Sequence, residues 1–369
     1  MLCELRRHDK FNTSTDDYHD IHMTFKNKFI HMSQINFKSG FLLTALIFSA
    51  LAILNSCGER TPLMPNVTGR AGEVVVVINS PVWESDAGRQ LNRVLSTEFP
   101  ALPQAEPMFD VRQIGHGSFS NIFKTHRNIV IVSVSGQYSQ SQMNIRRNVY
   151  AKPQVFLEIV SPDVEALESF VASQHERIIE ELNKAELERI KEYNSRYERS
   201  AIRSQLDQSF NLSIVFPPGY SVYLDTTDFA WINFSPPTQE RIQGVFVYQY
   251  EYTDPETFTT EYMINKRNEF LRQYVPGNVV GSFMTTETAV LPLFNEFMEN
   301  GRYFAEMRGL WKLENGFMGG PFVSLTTLDE DRNRVITVEG FVFAPEERKR
   351  NLLRQVEGII NTLNIREAI

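Results

Sequence analysis

Apolar and polar positions follow three different patterns along this chain. Residues 73–79 (EVVVVIN), Asn128–Val134 (NIVIVSV) and 154–160 (QVFLEIV) are β-branched apolar runs of strand length, suited to strands buried on both faces. Between the first two, residues 84–97 place Leu91, Val94 and Leu95 on one helical face, and residues 119–123 read as a short second helix. Strands alternating with helices predict an α/β domain over residues 71–162. From Asp163 to Leu206 there is no Gly or Pro, and charged residues are dense. Val164, Leu167, Val171, Ile178 and Leu182 form a helical stripe, continued after a register change by Ile190, Tyr193, Tyr197 and Ala201. Residues 163–206 are therefore expected to be a long charged helix or a helical hairpin, broken near Asn194-Ser195, where propensity is weakest. Unbroken, it would span on the order of 66 Å. Its stripe is expected to pack on the body of the protein. The competing reading is a projecting coil that docks a partner.

The pattern changes again after residue 207. Pro217-Pro218-Gly219 marks a turn, and strand-like runs follow at 220–224, 229–234 and 243–252. Residues 255–274 read as a helix, and further strands are expected at 302–313, 321–328 and 334–343. Asn315-Gly316 between two apolar runs is a hairpin signal. Residues 346–363 close the chain as an amphipathic helix with Leu352, Leu353, Val356, Ile359, Ile360 and Leu363 on one side. The expected fold class is thus mixed: an N-terminal α/β domain, a long connecting helix, and an α+β domain over 207–369 with an antiparallel sheet packed with helices.

The third pattern lies near the start. Residues 41–54 (FLLTALIFSALAIL) are continuously apolar or small, Lys38 precedes them, and Leu54-Asn55-Ser56-Cys57 follows. A charged n-region, a short apolar run and a small residue before the cut describe a signal peptide over residues 32–56. The run falls short of the roughly 20 apolar residues needed to cross a bilayer. Leu54, Ser56 and Cys57 resemble the bacterial lipobox, which implies an acylated Cys57 and a membrane link through its acyl chains, palmitate among them. Residues 57–70, with two prolines and two glycines, read as a tether. Residues 1–31 are polar and unneeded for export, so Met32 is the expected start. Cys3, His8, His19, His22 and His31 then carry no function. The expected location is the cell envelope, with the outer membrane as the anchoring membrane.

Composition narrows the function. There are 37 Lys and Arg against 45 Asp and Glu, a net charge of −8, which argues against nucleic acid as a partner. Beyond Cys57 the chain has no second cysteine, so stability must come from burial, which 27 phenylalanines make plausible. His116, His126 and His175 are too scattered to suggest a metal motif, and no cofactor signature is present.

Several strings are similar to those of an uncharacterised lipoprotein family, typical of the Bacteroidota, that carries a domain of unknown function. They are Gly72–Val77 with Trp83, Leu102-Pro103-Gln104 with Glu106-Pro107 and Phe109-Asp110, residues 123–129 (FKTHRNI), Arg308-Gly309-Leu310-Trp311, and residues 318–322 (MGGPF). The likeness covers most of the chain after Cys57 and implies an envelope lipoprotein without an assigned activity. The order of elements after residue 207 resembles the Mog1/PsbP-type fold in architecture, and that fold implies binding of partners more than catalysis.

Candidate chemistry is sparse. His116 lies two residues from Ser118, but no third group and no Gly-x-Ser-x-Gly elbow accompany them, and Ser118 reads equally as a helix cap. Lys124, His126 and Arg127 could form a cationic pocket for carboxylate or phosphate, or complement a helix C-terminus. Gly319 and Gly320 could bring bare backbone to a ligand, or mark a bulge. Asp329, Asp331 and Asn333 alternate as in a calcium loop, but Arg334 and Gly340 stand where Gly and Glu belong, so a charged hairpin turn is expected. The sequence thus favours a non-enzymatic lipid-anchored protein that binds an envelope protein or serves in assembly. A small-molecule or glycan binder is second and an envelope hydrolase third.

Overall fold

Four consecutive valines, Val74–Val77, are fully buried in β1 (Glu73–Val77), which lies inside a sheet covered on both faces. The computed structural model describes residues 64–367; Cys57, the expected signal peptide and the first 31 residues lie outside them. After β1 come α1 (Ser80–Trp83) and α2 (Asp86–Leu95), the latter capped by the Ser85 hydroxyl, which accepts from the Gly88 N–H. β2 (Asp110–Ile114), α3 (Asn121–Lys124), β3 (Asn128–Val134), β4 (Gln142–Arg147) and β5 (Val155–Ser161) follow. The sheet order is β2-β1-β3-β5-β4, parallel except for β4 at one edge. β2 and β4 are absent from the sequence expectation because they are the edges. Their side chains are only partly buried, and their sequences (DVRQI, QMNIRR) lack an apolar run.

The stretch from residue 163 divides into three helices: α4 (Val164–Ser173), capped by Asp163, α5 (His175–Arg196) and α6 (Ser200–Phe210). The expected break at Asn194-Ser195 falls a turn early; α5 runs on to Arg196, and the chain leaves helical geometry at residues 197–199. Ile178 and Leu182 are fully buried, so this part of the stripe packs on the protein's own core.

The remaining strands are β6 (Leu212–Ser213), β7 (Ser221–Asp225), β8 (Phe229–Phe234), β9 (Ile242–Glu251), β10 (Phe283–Thr286), β11 (Leu293–Glu299), β12 (Arg302–Glu314), β13 (Gly319–Asp329), β14 (Arg334–Phe343) and β15 (Asn364–Ile365). Helix α7 (Thr260–Tyr274) follows β9, and α8 (Arg350–Ile360) follows β14. An antiparallel sheet runs β10-β12-β13-β14-β9-β8-β7, with β11 also paired to β12; β6 pairs with β15 apart from it. Within the antiparallel sheet, β10 and β11 are the strands that periodicity did not reveal. The mixed fold class expected from the sequence is the one observed.

Strand alternation divides the two faces of this sheet. Val245, Val247, Val323 and Val338 join the core that also contains α2, α4, α5, α6, α8 and one face of the first sheet. Phe246, Tyr248, Phe322 and Phe341 point to the other side and pack with Met263, Phe270 and Leu271 of α7. One core thus runs through both sheets, with α8 lying on β14, β9 and β13 while touching α5. The two helices are close because position 358 is glycine: a Cβ there would lie 2.4 Å from Ile190 Cγ2.

Residues far upstream hold the start of α8. The Glu106 carboxylate, on the loop before β2, accepts the N–H groups of Lys349 and Arg350 and so caps a helix more than two hundred residues away. Arg350 donates to the Pro107 carbonyl (2.6 Å) and to Asp110 (2.7 Å), and Arg354 to the Met108 carbonyl and to Asn183 Oδ1 (both 2.9 Å). Glu106→Ala removes the cap and leaves buried donors unpaired, so a loss of about 2 kcal/mol is expected. Urea unfolding of this variant checks it, and a change within ~0.5 kcal/mol would show that the junction holds without the carboxylate.

Candidate functional site

The last two turns of α5 form one wall of a cleft with a volume of about 770 Å³, within the range that bound ligands fill. Facing them are the Pro217-Pro218 turn, Tyr220, Phe234 at the end of β8, Arg241 and Gln243 at the start of β9, and Gln355 and Ile359 of α8. Met64, Asn66 and Val67 line the rim, with Lys152 beside them. The wall is placed by a buried network. Arg189 donates to the carbonyls of Pro153 (2.9 Å) and Arg127 (2.7 Å), to Asn128 Oδ1 (2.9 Å) and to Glu186 (3.0 Å). Asn128 in turn donates to Glu186 (2.7 Å) and to the Glu73 carbonyl (2.9 Å).

Inside the cleft several polar groups lack partners. Asn194 is only 3% exposed, and its Nδ2 has no hydrogen bond. Arg241 pairs with Glu347 through Nη1 (3.2 Å) and lies 5.8 Å from the Phe234 ring centroid, while its buried Nε is unpartnered. Gln243 is satisfied by the Leu352 carbonyl and Gln355 Oε1. Tyr220 stacks on Phe234 at 5.6 Å, and burial pushes its phenol well above 10.0, so it stays a proton donor. At the rim Tyr193 and Tyr197 lean on each other at 4.8 Å and are 56% and 49% exposed. Lined by cations, amides and aromatic rings, such a cleft can hold a ligand that is partly anionic and partly apolar.

Of the candidate ligand residues named from the sequence, only Arg127 lines this cleft, with Nε 3.3 Å from Glu186 Oε1, while Ile190 and Tyr193 of the helical stripe line it too. His116 sits on a single 3-10 turn with Nε2 2.9 Å from the Val132 carbonyl oxygen. The Lys124 ammonium lies over the Tyr150 ring at 5.5 Å. His126 is buried, Nδ1 3.3 Å from the Asn128 carbonyl oxygen and Nε2 3.4 Å from Glu73 Oε2. The three basic residues therefore do not converge on one pocket. Gly319 and Gly320 open β13, and a Cβ at Gly320 would fall 2.0 Å from the Val342 carbonyl oxygen. Bare backbone is needed there because the Trp311 indole donates across it to that same oxygen at 3.2 Å. Asp329 is paired with Arg332 and Arg334 in a charged turn whose Asn333 is left-handed (φ 47°). Asn194, Tyr220 and Arg241 were not singled out as ligand contacts. They come from separate segments, and of these only the Pro-Pro-Gly turn carries a local signal.

Residues 199–362 match a family model described as Domain of unknown function (DUF4837), and residues 67–195 one described as Domain of unknown function (DUF8532). No curated protein matches the chain by sequence. Among solved structures, LpqN, described as involved in cell envelope biogenesis of Mycobacterium tuberculosis, is similar at 9% identity, with 41% of this chain and 81% of that one covered and a TM-score of 0.26. A mutant of the protein Mog1 is similar at 9% identity over 42% and 90% of the two chains, TM-score 0.27. A STAR-related lipid transfer protein from Xanthomonas axonopodis matches at 11% identity over 39% and 96%, TM-score 0.20. These scores record a weak likeness of architecture and carry no functional argument. No helix among the described residues is long and apolar enough to cross a membrane.

His126 offers a pH test. Burial pushes its imidazole below the ordinary 6.5, and Arg127 adds to this, while Glu73 and the Asn128 carbonyl pull the other way. The unfolded chain therefore binds the proton first as pH falls through 6.5. Stability is full above that value and is lost toward the lower folded pKa. Glu73 is ionised in both states there, because its own ordinary pKa is 4.5 and its folded value is lower still. The melting temperature should drop between about pH 7 and pH 5, and His126→Gln should flatten that slope. Equal slopes in the two proteins would remove His126 as the cause.

Proposed function

We propose that this protein is a non-enzymatic, lipid-anchored binding protein of the cell envelope that engages an envelope protein through the cleft beside α5. The acyl chains on Cys57 hold it in the membrane, the outer membrane by expectation, and residues 58–70 serve as tether. The observation that carries the reading is the Asn194 amide, buried in the cleft wall without a hydrogen-bond partner. A buried donor left unpaired costs roughly 1–3 kcal/mol, a cost that a bound acceptor would offset. The exposed Tyr193–Tyr197 pair at the mouth supports the same reading, since tyrosines anchor interfaces at small entropic cost. A small-molecule or glycan ligand is the second reading, favoured by the stacked Tyr220 and Phe234 rings inside.

Two experiments test this. A photo-crosslinking residue at position 193 in intact cells should give a discrete adduct with an envelope protein. Tyr193→Ala and Tyr197→Ala should reduce association severalfold while the melting temperature barely moves, because both rings are half exposed. A lowered melting temperature with undiminished association would assign the pair to ordinary scaffold. For the anchor, Cys57→Ala should yield an unacylated product that leaves the detergent phase. Mass spectrometry showing any mature N-terminus other than acylated Cys57 in the wild type would sink that part.

A further inference from the structure

We propose that the cleft receives an acidic peptide segment, laid extended along residues 64–67 with a carboxylate held at Arg241. This deepens the reading of the cleft as the partner site and rests on it. Charge is the first argument. The whole chain is net negative, −8, yet Arg127, Lys152, Arg189, Arg196 and Arg241 line the cleft against the single acidic Glu192. Their charge is partly met already, by Glu186 at Arg127 and Arg189, Glu192 at Arg196 and Glu347 at Arg241. What remains is a modest positive excess, which carboxylates of a ligand would meet. Lys152 makes no ion pair among the described residues, and Arg241 leaves its Nε and Nη2 without hydrogen bonds. Those two atoms form the side-on edge that a carboxylate grips with two parallel bonds. In the empty cleft Nε is screened from water, so a torsion that turns it toward a carboxylate replaces an unpaired donor with a charge-assisted bond.

The backbone supplies the second argument. The Val67 N–H donates to the Lys152 carbonyl (3.2 Å), and the Lys152 N–H to the Pro65 carbonyl (2.8 Å), so this short segment already pairs like a parallel strand. In that pattern the N–H and C=O of Asn66 point the opposite way. Neither bonds to another described residue, and Asn66 lines the cleft. That edge is open at Asn66 and ends at Thr68, whose N–H and C=O already bond Thr125 and Arg127, so an incoming extended peptide adds through its bonds to Asn66. Asn194 in the α5 wall offers an unpaired amide N–H, a donor suited to a peptide carbonyl. The stacked Tyr220 and Phe234 rings give an apolar wall for a neighbouring side chain.

The test uses the mature acylated chain and two pools of synthetic hexapeptides, one of mixed Glu, Tyr and Leu, the other with Gln in place of Glu, read by fluorescence polarisation. The Glu pool should bind roughly tenfold or more tightly than the Gln pool, and added salt should narrow the gap. Arg241→Gln should erase the difference. Lys152→Glu, at an exposed residue without ion pairs, should weaken the Glu pool with no loss of melting temperature, so the result does not hang on one partly buried arginine. Equal binding of the pools, or binding of neither, overturns the proposal. So does binding seen only after residues 57–63 are removed, which would assign the cleft to the chain's own tether. If both pools fail while the crosslink at position 193 persists, the partner site stands and the acidic peptide falls. If both are lost, the reading of the cleft falls as well.

Discussion

Where the parallel strands begin together, the carbonyls of Glu73, Arg127 and Pro153 converge at the starts of β1, β3 and β5, and the Arg127 oxygen also accepts the Val155 N–H. A buried carbonyl must find a donor. Arg189 supplies the Arg127 and Pro153 oxygens, Asn128 supplies Glu73, and Glu186 neutralises the guanidinium one helical turn away. Breaking a buried pair of this kind costs about 3–5 kcal/mol, because the surviving charge is left without compensation. Much else depends on it. The pair fixes the rotation of α5, which sets Ile190 against Gly358 and so the seat of α8, and α8 in turn lies on the second sheet. The same rotation turns Tyr193 and Asn194 into the cleft.

The second sheet answers a different constraint. Both faces of its central strands are covered, so β9, β13 and β14 are buried along most of their length and α7 must be held without displacing the aromatic layer beneath it. Arg267 does this with no exposure at all, gripping Glu339 with two bonds of 2.8 and 2.7 Å and bonding Thr286 at 2.9 Å, its guanidinium 3.9 Å above the Phe322 ring centroid. Burial pushes the Glu339 carboxyl upward, and Arg267 opposes it, so the pair is worth little unless kept whole. Its value lies in position, since only one placement of α7 satisfies both charges.

Central elements were legible in the sequence because their burial is written as apolar runs: β1, β3, β5, β9 and β14 lie close to where periodicity set them. Edges other than β7 were not. β2, β4 and β11 are at most partly buried and lack an apolar run, and β10 is only four residues long. The candidate site was legible only at Arg127 and in the Ile190–Tyr193 stripe, because a cleft assembled from residues 66, 152, 194, 220 and 241 leaves no spacing to detect. Local basic density pointed to Lys124 and His126. The first is spent over a tyrosine ring, and the second is buried beside Glu73, neutral where its neighbourhood in sequence suggested charge.

The same assembly explains why the cleft can keep unpaired donors. Each wall is anchored outside the cleft: α5 by Arg189 to the strand starts, α8 by Glu106 at its N-terminus, and the rim segment by its backbone bonds to Lys152 and Thr125. The walls cannot close on one another to satisfy Asn194 or Arg241 without breaking those anchors, so the open polar edge persists in the empty protein. Pre-organisation of this kind lowers the entropy that binding must overcome.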